Sequence, residues 1–63
     1  MKIKFCDLLP GRKFKFLPQG KTFIIVEMAR HSLVYAPISD VNSVIEIGPA
    51  NPLWFSEVYL TNN

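Results

Sequence analysis

Hydrophobic and polar positions alternate over residues 12–16: Phe14 and Phe16 fall on one side, Lys13 and Lys15 on the other. A period of two is that of a half-buried strand, because successive side chains of an extended chain point to opposite faces. Leu9-Pro10-Gly11 ahead of this segment reads as a turn. Pro18-Gln19-Gly20-Lys21 behind it reads as a second turn, with proline early and glycine at a left-handed position. Residues 22–28 include Phe23, Ile24, Ile25 and Val26, aromatic and β-branched types that predict another strand. A four-residue connection over 29–32 leads to a third strand at 33–36. Pro37 ends it, since proline cannot donate to a ladder. Residues 38–42 read as a loop, 43–47 as a fourth strand, and Gly48-Pro49-Ala50-Asn51-Pro52 as a break.

The last segment, 53–60, sorts onto one face by neither the helical nor the strand period. A bent or interrupted strand is expected there. One helical turn over 52–56 would be opened by Asn51 as cap and Pro52 as first helical residue. Five short strands, tight turns and no long helix predict an all-β domain spanning residues 1–63: a small five-stranded SH3-like barrel or a curled antiparallel sheet. An OB-fold needs a longer chain and a helix between strands. A chain of 63 residues buries only a modest core.

The stretch Phe5-Cys6-Asp7-Leu8-Leu9-Pro10-Gly11-Arg12-Lys13-Phe14-Lys15-Phe16 resembles the opening of small, mostly uncharacterised proteins of bacteriophages and bacteria. The shared pattern is an Asp-Leu pair, a turn ending in Gly and a strand with two alternating aromatics. Such proteins look like SH3-like β-barrels. The resemblance implies an accessory or regulatory role in binding a host or phage macromolecule, and it carries over no functional residue.

Gly20-Lys21-Thr22 is the tripeptide that closes a phosphate-binding loop, but the glycine that such a loop needs five positions earlier is Lys15 here. A strand pattern, not the helix whose N-terminus would complete an anion site, follows it. Ser32, His31 and Asp40 assemble a hydrolytic triad only on paper, since neighbouring turn residues point apart. One cysteine and one histidine leave a zinc site without its ligands, and carboxylates scattered singly make no calcium loop. The reading is of a protein that is not an enzyme and takes no cofactor, metal or small-molecule substrate. Lone Cys6 forms no intramolecular disulfide and suits a reducing cytoplasm, and no apolar run has the length of a membrane span.

Charge sharpens the choice of partner. Residues 1–21 hold six basic side chains against Asp7 alone, a balance of +5, while residues 22–63 hold Arg30 against four acids, a balance of −3. Such asymmetry marks either a basic face or two halves that attract each other across a sheet. Barrels that bind single strands combine a basic groove with exposed rings. Alternation turns Lys13 and Lys15 away from Phe14 and Phe16, which weakens that reading. Surplus apolar residues carry more weight. Continuous runs at 23–26, 33–35 and 53–55 exceed what one face of a small barrel buries, and contiguous apolar surface marks interaction sites. The expected function is therefore a binding module acting through protein–protein contact or self-association, with Trp54, Phe55 and Ile24 as candidate contact residues. Trp54 is the first candidate anchor because tryptophan is enriched among residues that dominate interfaces; the other reading of it is that it closes the end of a small core. The alternative is a nucleic-acid-binding barrel using Arg12, Lys13, Lys15 and Lys21. No membrane partner is expected.

Overall fold

The computed structural model describes residues 1–61. Six antiparallel strands form one sheet: β1 (Lys2–Lys4), β2 (Lys13–Lys15), β3 (Phe23–Ala29), β4 (Ser32–Pro37), β5 (Ile45–Ile47) and β6 (Glu57–Leu60). Their order is β1-β6-β2-β3-β4-β5, so β1 and β5 are the two edges. The sheet curls without closing into a barrel, which bears out the curled-sheet form of the all-β expectation. One strand more than expected is present: the Lys2-Ile3-Lys4 segment pairs with β6, Lys2 opposite Tyr59 and Lys4 opposite Glu57. Among the described residues no helix is long and apolar enough to cross a membrane.

The expected hairpin of residues 12–16 and 22–28 forms, with Lys13 opposite Ile24 and Phe14 opposite Phe23. Its connection corrects the reading of Gly20. The Gly20 N–H donates to Leu17 O at 3.0 Å, which makes Leu17-Pro18-Gln19-Gly20 the turn. Gly20 is its fourth residue and has no positive φ; proline second and glycine fourth suit a type I turn. The left-handed glycine is Gly11, with φ 89°. There the Arg12 N–H donates to Leu9 O at 3.0 Å, closing a turn with Pro10 second and Gly11 third, the type II arrangement.

Two 3-10 turns interrupt the strands and stopper the curl. The first, Phe5–Asp7, follows β1, and the second, Pro52–Phe55, precedes β6. Asn51 opens the second as expected: its side-chain oxygen accepts from the Leu53 N–H at 2.9 Å, with Pro52 behind it. The segment 53–60 is thus a turn followed by a strand. Its two parts have different periods, which is why no single period sorted it.

Register assigns the faces. Phe14, Phe23, Ile25, Tyr35, Leu33, Ile47 and Val58 lie in phase on the inner face with Phe5 and Leu8, and the core is built from these residues. Phe5 is fully buried, with edge-on rings at 5.7 Å from both Phe14 and Tyr35. Aromatic pairs prefer this geometry because the positive edge of one ring meets the negative face of the other. The run at 23–26 resolves through a bulge. Ile25 pairs with Tyr35 and Glu27 with Val34, so Val26 is an extra residue left exposed. The run at 33–36 is buried throughout, as suits a strand flanked by β3 and β5.

Candidate functional site

Strand order segregates the outer face by charge. On β1, β6 and β2 the row Lys2–Tyr59–Lys15 runs across three strands, with Lys4 opposite Glu57 and Lys13 one residue-pair further along β2. On β3, β4 and β5 the corresponding row is Glu27–Val34–Glu46. Lys2 Nζ stands 5.6 Å from the Tyr59 ring centroid, a cation–π distance. Lys13 and Lys15, two of the four basic residues singled out from sequence, therefore share this face. Arg12 and Lys21 are exposed but fall in the opposite phase of the alternation, beside Phe14 and Phe23. The alternation of β2 alone presents the lysines without a ring. Tyr59 supplies one, and only the pairing of β6 between β1 and β2 brings it there.

The second candidate surface lies at the end of the curl, where the two 3-10 turns approach the β3–β4 connection. An apolar cleft of ≈ 230 Å³ opens there, and Cys6, Met28, Leu33, Pro49 and Trp54 line its walls, with Arg30 and His31 at the connection. Met28 pairs with Leu33 in phase with the core, but it lies near the end of β3 and is 51% exposed. Gly48 permits the close fit at this end, since a Cβ there would come within 3.2 Å of His31 O. Trp54 is half-buried: its ring packs on the core 6.3 Å from Phe5, and it also forms part of the cleft wall. Next to it in sequence, Phe55 is 62% exposed. Ile24, the third apolar candidate, is on the outer face between Lys13 and Ala36, on the side of the sheet away from the core. The structure brings Trp54 and Phe55 together and leaves Ile24 apart.

The residues considered for chemistry have other roles. Gly20-Lys21-Thr22 runs directly into β3, so no helix N-terminus faces it. The Ser32 hydroxyl donates to Glu46 Oε2, across the β4–β5 ladder, and not to His31. Asp40 accepts from the Ser43 hydroxyl at 2.6 Å within its own loop. Among the described residues no group of three His, Cys, Asp or Glu side chains is placed to hold a metal ion. Burial raises the Tyr35 phenol above its ordinary pKa of 10.0 through desolvation of the charged form. Tyr35 is a core residue, so this shift bears on stability.

No protein-family model matches the chain, and no curated protein or solved structure matches it either. The functional reading rests on the geometry of the two surfaces.

Proposed function

We propose that the chain is a non-enzymatic binding module that acts through protein–protein contact at the cleft end of the curled sheet. The observation that carries this reading is Phe55. It is a large apolar side chain, 62% exposed, on a capped one-turn element and next in sequence to the half-buried Trp54, which lines the apolar cleft. Ordering a flexible segment on binding opposes association, and a capped turn presents Phe55 on backbone that is already ordered. Arg30 and His31 at the cleft favour a partner that presents an apolar side chain followed by an acidic one. The occupant is either a different protein or a second copy of the chain.

The test is capture from a lysate of the source cells by the immobilised chain, beside Phe55→Ala and Met28→Ala, with nuclease and high salt in the wash. A protein, or the chain itself, retained through both treatments and lost with either variant supports the reading. Retention that is abolished by nuclease, or is the same for all three chains, refutes it. Trp54→Ala is a poorer probe, because this ring also packs on the core and its removal weakens folding together with any contact.

A further inference from the structure

The geometry of the outer face points to a second binding activity, distinct from the cleft: we propose that the β1-β6-β2 surface binds single-stranded nucleic acid, with a base stacked on Tyr59 and backbone phosphates held by Lys2, Lys13 and Lys15.

Three observations converge. First, Lys2 and Lys15 flank Tyr59 in one cross-strand row, so cations stand on both sides of a ring. Neighbouring strands are about 4.8 Å apart, which sets the two lysine backbones roughly 10 Å from one another with the ring between them. Second, no ion pair engages these lysines among the described residues, and the nearest cross-strand acid on the face, Glu57, is opposite Lys4. Third, the acids Glu27 and Glu46 occupy the β3-β4-β5 half, so a polyanion is attracted to one half of the sheet and repelled by the other.

The chemistry selects a single strand. A duplex presents phosphates but hides the faces of its bases, whereas an unpaired base offers its π-face to a ring on an open sheet. Lys2 already covers part of the Tyr59 ring. An exposed cation–π contact is weaker than base–aromatic stacking, so a base displaces the ammonium, which then turns to an adjacent phosphate. The ring and the charges therefore act on different parts of one nucleotide chain. Arg12 and Lys21, in the opposite phase, are not part of this surface.

The experiment is a fluorescence-anisotropy titration of a labelled oligo-dT of about 20 nucleotides with the full chain, repeated across salt concentrations. Three phosphate contacts on a single strand give a log–log salt slope near −2.1, or about a twenty-fold loss of affinity between 50 and 200 mM salt. Lys2→Gln with Lys15→Gln should weaken binding and flatten that slope by about 1.4. Tyr59→Ala should weaken binding about five-fold or more with the slope unchanged, and Tyr59→Phe should restore it. Circular dichroism confirms that each variant is folded under the same conditions. Phe55→Ala should bind oligo-dT normally, so failure here and failure of the cleft reading are told apart. Absence of saturable binding at 50 mM salt overturns the proposal. So does equal affinity for heparin or for a poly-glutamate peptide with no effect of Tyr59→Ala, since that would leave only an unspecific attraction for polyanions or an acidic protein.

Discussion

Phe5 and Phe55 allow the same atoms to be removed from two opposite environments in one chain. Phe5 is fully buried and touches Phe14, Tyr35 and Trp54 edge-on, whereas Phe55 is 62% exposed. Truncating a buried phenylalanine to alanine costs about 3–5 kcal/mol, from lost transfer energy plus the cavity left behind. A substitution at an exposed site away from special features changes stability by about 0.5 kcal/mol or less. At about 0.05–0.15 kcal/mol per residue, a domain of this size has a total stability of roughly 3–9 kcal/mol. Phe5→Ala should therefore remove about a third or more of it and lower the Tm by on the order of 20 °C. Phe55→Ala should leave the transition where it is. Urea unfolding followed by far-UV circular dichroism and by the fluorescence of Trp54, the single tryptophan, measures both and tests whether the two probes coincide. If Phe55→Ala costs as much as Phe5→Ala, Phe55 is a core residue, and the argument that its exposure serves a partner falls.

Three further outcomes follow from local features. Asn51→Ala removes the acceptor for the Leu53 N–H and should cost about 1 kcal/mol in urea unfolding, with Asn51→Asp close to neutral. Gly11→Ala places a Cβ where nothing crowds it but where φ is 89°, so it should destabilise by about 1–2 kcal/mol through backbone strain alone; a neutral result would refute that cause. The raised Tyr35 pKa means that the folded chain keeps its phenol proton where the unfolded chain has released it. The resulting contribution is complete below the unfolded value near pH 10 and is lost as pH rises through the folded value. The wild type should thus lose stability relative to Tyr35→Phe only above about pH 10, and a constant difference between them across that range would contradict the assignment.

How far the fold was legible follows from which signals are local. The period of two at 12–16 and the β-branched run after it specified the β2–β3 hairpin, and Asn51-Pro52 specified the capped turn. Residues 2–4 alternate too, but three residues are too few for a period to stand out, and their partner lies more than fifty positions away in β6. Phe5 and Leu8, three apart across a single 3-10 turn, share the spacing of one helical turn, which is too short for a period to stand out, so two of the most buried residues gave no pattern. Val26 broke the alternation because a bulge adds a residue to one strand only, and the pairing partner decides where. The apolar surplus at 33–36 had a structural cause, burial on both faces of β4, whereas Val26 in the first run and Phe55 in the last reach the surface.

The charge asymmetry shows the same limit from the side of function. A balance of +5 in residues 1–21 and −3 in the remainder fits interleaved strands that neutralise each other as well as it fits a divided surface. The strand order decides between them. β6 inserts between β1 and β2, which keeps the lysines of both on one half of the sheet, and β3 through β5 carry Glu27 and Glu46 on the other half. Had β5 paired beside β1, the row containing Glu46 would have met the lysine edge and cancelled it. Because the sheet stays open, the opposing charges remain apart and the field over each half survives within about a Debye length, roughly 8 Å at physiological salt. Glu57, the acid carried by β6 itself, stands opposite Lys4, one row along from Lys2, Tyr59 and Lys15. The insertion of one C-terminal strand thus assembles the basic face and gives it a ring, and neither follows from any contiguous stretch of the sequence.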